Sequence, residues 1–186
     1  MAETCNFAQN INLGNGRKIS HDSPTFVVAE AACNHLCDMT LAKQMIDKAV
    51  EAGADSIKFQ TYKAEKLVTK EAVAFWGNEK ISQIEYYRRL DRFRKAEYAE
   101  LFKYADEKGI LCFSSPFDIE SADMLNELGM AIFKIASCEI PNLQFIKHIA
   151  GYGKPIMLST GASSEEEIEK AISTILEQGN NKLILM

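Results

Sequence analysis

Two lysines set in apolar, strand-like runs carry the most chemical information in this sequence. Lys58 lies in Ile57-Lys58-Phe59-Gln60 and Lys134 in Phe133-Lys134-Ile135. Strand alternation turns Ile57 and Phe59 to one side, Lys58 and Gln60 to the other. In a sheet covered on both faces, each ammonium must meet an anion or lose its proton. The internal carboxylate Glu30 cannot fully balance two lysines, so a bound anion is expected to supply the rest. The plain structural alternative is an ion pair of Glu30 with one lysine while the other snorkels to water. The hydroxyls point the same way. Ser115, Ser137 and Ser159 stand where strands give way to loops. There, loop N–H groups and hydroxyls together cradle phosphate or carboxylate. A single serine at such a place is more often a cap or turn residue. Three of them beside two inward lysines favour a strongly anionic substrate. There is no GxSxG and no histidine placed as an obvious base, so none reads as an activated nucleophile. A Schiff-base lysine remains an open alternative.

These residues need a scaffold that brings strand ends together. The phrases EAGADSIKFQ, EKGILCFSS, ELGMAIFKIAS, GYGKPIMLST and EQGNNKLILM share one plan: helix, glycine, short turn, apolar strand. Helical periodicity places Ala42, Met45, Ile46, Ala49 and Val50 on one face, and Tyr98, Leu101, Phe102 and Ala105 on another. Ser164 and Glu167 have capping-box spacing. With Phe26–Ala31 as first strand, the chain reads as six strands and five helical connections. Such alternation implies parallel strands with right-handed crossovers. Polar groups follow nearly every strand, as in a barrel that gathers its C-terminal strand ends around one mouth. An open doubly-wound sheet would cluster them at one switch point. The expected fold is therefore α/β, an incomplete (β/α)₈ TIM barrel of about six parallel strands with a short N-terminal β-hairpin at INLGNGRKIS. Residues 1–25 are the hairpin and lead-in, and 26–186 the partial barrel. An insertion at about 63–94 holds Trp76, and its aromatics read as rim packing or as a lid.

Composition narrows the function classes. The chain has 186 residues, is 47% hydrophobic and carries net charge −5, which disfavours a general nucleic-acid surface. The basic run from Arg88 to Lys95 is interleaved with acids and reads as a solvated helix face. No apolar run has the length of a membrane span. Five cysteines form no CxxC pair, and MAETCNFAQN lacks signal-peptide character, so reduced thiols and a cytoplasmic location are expected. Cys33 and Cys37 flank Asn34-His35 without the further ligands zinc would need. His35 reads as a hydrogen-bonding residue of the loop after strand 1, at the mouth.

The phrases AEAACNH (29–35), AGADSIKFQTY (52–62), SSPFD (114–118), FKIASCE (133–139) and KPIMLSTG (154–161) resemble the sialic acid synthase family, which includes legionaminic and pseudaminic acid synthases. The resemblance runs from about residue 10 to 186. It implies condensation of phosphoenolpyruvate with N-acetylmannosamine or a related N-acyl amino-sugar, releasing phosphate. By similarity, Lys58, Ser115, Lys134, Ser137 and Ser159 bind phosphoenolpyruvate. Glu30 contacts the sugar or assists proton transfer, and Asn34, His35 and Gln60 are further candidate sugar contacts; Glu30, Lys58 and Lys134 are the candidate catalytic groups. A divalent metal, Mn²⁺ or Mg²⁺, would act as Lewis acid. No metal ligand is expected within this chain, since the family's ligands are histidines on later strands, beyond residue 186. The full-length form is expected to be a homodimer, with no nucleic-acid or membrane partner, and the chain alone to be inactive.

Five positions, in or beside three of these phrases, depart from the family pattern. Glycine is usual where Ala32 and Cys37 stand, and an acidic or polar residue near Leu36. Ser115 replaces threonine and keeps the hydroxyl, and Cys138 stands where glycine is common. The rival readings are another phosphoenolpyruvate–sugar condensing barrel of the 3-deoxy-octulosonate phosphate synthase kind, and a non-catalytic anion-binding barrel fragment.

Overall fold

The computed structural model describes residues 7–14, 16–74 and 81–186. The aromatic pair Phe75-Trp76, expected on the rim or in a lid, lies outside the described residues, as do Cys5 and Asn15. In chain order the elements are β1 (Asn10–Gly14), β2 (Arg17–Ser20), β3 (Val28–Ala32), α1 (Met39–Glu51), β4 (Ser56–Thr61), α2 (Ala64–Leu67), α3 (Gln83–Leu90), α4 (Lys95–Glu107), β5 (Leu111–Pro116), α5 (Ile119–Glu127), β6 (Phe133–Ile135), α6 (Leu143–Ala150), β7 (Ile156–Leu158), α7 (Glu165–Glu177) and β8 (Leu183–Leu185). The chain divides into two compact units, one of Val27–Met130, the other of Met1–Phe26 with Ala131–Met186.

In the first unit, β3, β4 and β5 form a parallel sheet in consecutive order. The ladder begins at Val28 rather than at Phe26. The Asp55 carboxylate takes the Val27 N–H at 2.7 Å, and the Val27 carbonyl accepts from Asp55 and Ser56 N–H. Val27 is thus a lead-in, half-exposed, and not a strand residue. α1 starts where the Asp38 carboxylate accepts the Leu41 N–H at 3.0 Å, an N-cap that satisfies a donor with no intrahelical partner. It ends at Ala52, and Gly53 follows at φ 74°, a left-handed turn that a Cβ would oppose. Ala42, Ile46 and Ala49 are buried along α1, while Val50, expected on the same face, is exposed. α4 buries Tyr98, Leu101 and Ala105. Each fully buried aliphatic such as Ile46 or Leu101 contributes roughly 1.5–3 kcal/mol relative to exposure.

In the second unit, β6, β7 and β8 form another parallel sheet, also in consecutive order. The six strands therefore fall into two sheets of three. The hairpin β1–β2 is antiparallel and buries Ile11 and Leu13 while Asn10, Asn12 and Gly14 face solvent. Ala8 N–H donates to the Asn181 carbonyl at 3.0 Å, tying the hairpin's lead-in to the approach of β8. α7 opens on the expected capping box: the Ser164 hydroxyl accepts from Glu167 N–H, and the Glu167 carboxylate accepts from Ser164 N–H at 2.8 Å. Among the described residues no helix is long and apolar enough to cross a membrane.

Candidate active site

Strand register in the first unit decides which polar groups share a face. Glu30 is the partner of Lys58 across β3 and β4, and Gln60 of Ser115 across β4 and β5. Paired residues on parallel strands point the same way, so these four lie on one face and Ile57, Phe59 and Thr61 on the other. Lys58 Nζ forms an ion pair with the Glu30 carboxylate; the Lys58 side chain is 11% exposed and that of Glu30 51%. The pairing of Glu30 with one lysine is therefore present. The pair is not sealed from water, since the Glu30 side chain stays half-exposed. Ser115 is buried beside Gln60. Its neighbour Ser114 turns to the other face, where its hydroxyl meets Thr61 Oγ1 at 2.7 Å.

The ladder between β3 and β4 slips between Glu30 and Ala32, and residues 33–37 then form a tight turn. Ala32, Leu36 and Cys37 adopt φ of 48°, 50° and 58°. Asn34 is exposed on this turn. His35 is not: it is 1% exposed, its ring stacked on Phe93 at 4.6 Å and edge-on to Phe59 at 5.5 Å. This corrects its placement at an open mouth as a sugar contact. A ring that alternates with exposed Asn34 and Leu36 turns inward, where two aromatics cover it. His35 Nδ1 accepts the Cys37 N–H at 3.2 Å, which assigns the proton to Nε2. Burial lowers the His35 pKa to about 4, so the ring is neutral near pH 7. Gln60 is half-buried, and its carbonyl accepts from Tyr98 O–H at 3.0 Å. Asn34 and Gln60 both line a cavity of about 270 Å³ with Tyr62, Tyr86, Tyr87 and Leu90.

The second unit holds the other lysine. Lys134 is buried on β6, and its ammonium donates to Ser159 Oγ at 2.6 Å and to the Ile135 carbonyl at 2.8 Å. Ser159 is held just past β7 by its own N–H, which donates to the Ile135 carbonyl at 3.0 Å. Ser137 opens a turn of 3₁₀ helix, Ser137–Glu139, directly after β6. It lines a cavity of about 230 Å³ with Gly161, Ser163 and Glu167. Glu139, which has no assigned role in the sequence pattern, is half-buried, and burial raises its pKa against the opposing hydrogen bond from Asn142. A carboxylic acid two residues from Ser137 is hard to weigh from sequence, since its spacing matches that of an ordinary turn residue.

The buried thiols of Cys33 and Cys112 are poor nucleophiles. Burial pushes Cys33 up to about 11 and raises Cys112 further. Among the described residues no three of His, Cys, Asp and Glu come together to hold a metal ion. A cavity of about 690 Å³ runs along α1 beside β3, with Glu30 and Asn34 among mainly apolar lining residues.

The NeuB family model matches residues 45–186. The chain is 41% identical over 161 residues to an N,N'-diacetyllegionaminic acid synthase of Campylobacter jejuni, covering 83% of this chain and 48% of that protein. It is similar to the crystal structure of N-acetylneuraminic acid (sialic acid) synthetase from Leptospira borgpetersenii in complex with citrate. There the TM-score is 0.83 at 37% identity, over 96% of this chain and 59% of that one. A truncated 3-deoxy-D-arabino-heptulosonate 7-phosphate synthase from Thermotoga maritima shares the fold alone, at TM-score 0.68 and 18% identity, over 95% of this chain and 55% of that one. These neighbours are TIM-barrel-like synthases, and the chain has the corresponding α/β fold with parallel sheets, not closed among the described residues. The chain spans about half the length of the curated relatives it matches.

Proposed function

Because the chain belongs to the NeuB family, we propose that the protein carrying it condenses phosphoenolpyruvate with N-acetylmannosamine or a related N-acyl amino-sugar and releases phosphate. One observation in this chain carries the reading. Two buried lysines, Lys58 and Lys134, stand on parallel strands beside strand-end hydroxyls. In this reading Lys58, Ser115, Lys134, Ser137 and Ser159 bind the carboxylate and phosphate of phosphoenolpyruvate. Fixed donors of this kind stabilise charge as it develops, without reorganising during the reaction. Carbon 3 of phosphoenolpyruvate attacks the aldehyde carbon of the open-chain sugar, forming the C–C bond. Water adds to carbon 2, and the tetrahedral intermediate expels phosphate by C–O cleavage. Glu30, released from Lys58 as the substrate anion arrives, contacts the sugar or moves a proton. Asn34 and Gln60 are the remaining sugar contacts.

A divalent metal, Mn²⁺ or Mg²⁺, is expected on ligands beyond residue 186. The described residues offer no three-ligand group for it, and the roles of Glu30, the two lysines and the serines do not involve it. A cytoplasmic location and a homodimeric full-length form belong to the same reading. The test is phosphate release by the full-length protein with phosphoenolpyruvate, divalent metal and a panel of N-acyl amino-sugars. Phosphoenolpyruvate labelled with ¹⁸O at carbon 2 should give labelled phosphate. Absence of phosphate with every sugar would overturn the reading.

A further inference from the structure

The link between α3 and α4, residues 91–94, is bonded to the segments that follow two different strands. The Asp91 carboxylate accepts the Ala64 N–H at 2.8 Å, just past β4. Phe93 is buried and stacks on His35 at 4.6 Å, in the turn after β3. Between them, Arg92 Nη2 donates to the Leu36 carbonyl at 3.1 Å and its Nε to the Arg89 carbonyl at 3.2 Å. One planar guanidinium thus ties the last turn of α3 to the turn of residues 33–37, a double contact that its fixed fork of donors permits.

That turn is held against its backbone preference. Ala32, Leu36 and Cys37 are all in left-handed conformation, which a Cβ opposes. Within the turn, the Leu36 N–H donates to the Cys33 carbonyl at 3.0 Å, the Asp38 N–H to the His35 carbonyl at 2.7 Å and the Cys37 N–H to His35 Nδ1 at 3.2 Å. The Leu36 side chain is 57% exposed, so its own packing does little to fix it. Asn34, two residues earlier, is exposed and lines both the cavity along α1 and the one beside Tyr62. A shift at Leu36 therefore displaces the residue that these two cavities share.

We propose that Arg92 is a positioning residue for the condensation. By holding the Leu36 carbonyl it sets where the turn presents Asn34, and so how tightly the acceptor sugar is bound. The substrate half of this assignment rests on the proposed condensation; the hold on the turn does not. All the groups involved lie within the Val27–Met130 unit.

Two readouts on the full-length protein test it. The first, amide hydrogen exchange, needs no turnover. Arg92→Ala should speed exchange of the Leu36, Cys37 and Asp38 N–H groups about fivefold or more, while the amides of β4 stay unchanged. The second is steady-state kinetics with the N-acyl amino-sugar of the panel that turns over fastest. Arg92→Ala should raise KM for the sugar about tenfold, leaving kcat within about twofold and phosphoenolpyruvate affinity unchanged. Arg92→Lys, which keeps one donor for the carbonyl, should recover part of the loss. In an Asn34→Ala background, Arg92→Ala should have little further effect on KM, because both act through one contact. Unchanged exchange at the turn, faster exchange throughout β4, an unchanged KM, or a loss that adds to that of Asn34→Ala would each overturn the assignment. Absence of phosphate release by the parent with every sugar would sink the condensation, and the exchange result would then still decide whether Arg92 holds the turn.

Discussion

Glu30 and Lys58 face each other across β3 and β4 as register partners, and their side chains close an ion pair in which the lysine is largely buried and the carboxylate half-exposed. The asymmetry makes the two halves of the pair unequal. Glu30→Gln leaves a largely buried ammonium without its carboxylate and should lower unfolding stability by about 1–2 kcal/mol, less than for a fully buried pair because Glu30 keeps solvent contact. Lys58→Met leaves only a half-exposed carboxylate and should change stability by less than about 1 kcal/mol. Phosphoenolpyruvate affinity should move the other way, at least a hundredfold weaker in Lys58→Met. Urea unfolding and calorimetric titration check both halves. A Lys58→Met protein that binds phosphoenolpyruvate normally would show the lysine to be structural.

Lys134 and Ser159 form the corresponding contact in the other unit, with Nζ to Oγ at 2.6 Å. Ser159→Ala removes one charge-assisted hydrogen bond, commonly about 1.5–3 kcal/mol. Phosphoenolpyruvate binding should weaken roughly tenfold to a hundredfold, and Lys134→Met should weaken it further. The double variant should be no weaker than Lys134→Met alone if serine acts through the lysine. Calorimetric titration of all three variants decides this, and additive losses would mean that Ser159 contacts the ligand independently.

The order and type of these elements were legible because each strand from β4 to β8 follows a helix-ending glycine; Gly53, Gly109, Gly129, Gly153 and Gly179 have φ between 65° and 80°. Strand alternation alone put Lys58 and Gln60 on a common face. The orientation of His35 was not legible, because turn residues have no fixed period and its neighbours Phe59 and Phe93 come from distant segments. The same holds for Tyr62. Its burial depends on Tyr87 and Phe117, and its unmet hydroxyl shows only once the surroundings are known.

Ala32 and Cys37 occupy left-handed backbone at φ 48° and 58°, a region that favours glycine. A side chain in that region costs about 1–2 kcal/mol. Glycine's extra freedom in the unfolded chain takes back about 0.4–1 kcal/mol. Ala32→Gly and Cys37→Gly should therefore each raise stability by about 0.5–1 kcal/mol, opposite in sign to the usual glycine substitution. Chemical denaturation of each variant against the parent tests this. Destabilisation by more than about 1 kcal/mol in both would mean that the side chains gain more from packing than the backbone loses.

His35 should give the protein a distinct sensitivity to mild acid. The ring is 1% exposed, packed between Phe59 and Phe93, and burial lowers its pKa to about 4 from the ordinary 6.5. The unfolded chain thus binds a proton through a pH range where the folded chain does not, so stability must fall as pH falls through that range. Above pH 6.5 both states hold a neutral ring and this group contributes no pH dependence. Between pH 6.5 and about 4 the folded state loses ground progressively, and below about 4 both states are protonated and the loss levels off. Lowering the pKa from 6.5 to about 4 corresponds to a whole effect of about 3 kcal/mol. Carboxylates titrate in the lower part of the same range, so total stability alone does not isolate the histidine. His35→Gln removes the titration while keeping a polar side chain of similar size. The difference in unfolding free energy between parent and variant is to be measured at intervals from about pH 8 to about pH 4. It should be flat above pH 6.5 and then shift in the variant's favour by about 3 kcal/mol. A difference that stays constant down to about pH 4 would mean that His35 protonates as readily in the folded protein as in the unfolded chain, and that its ring reaches water.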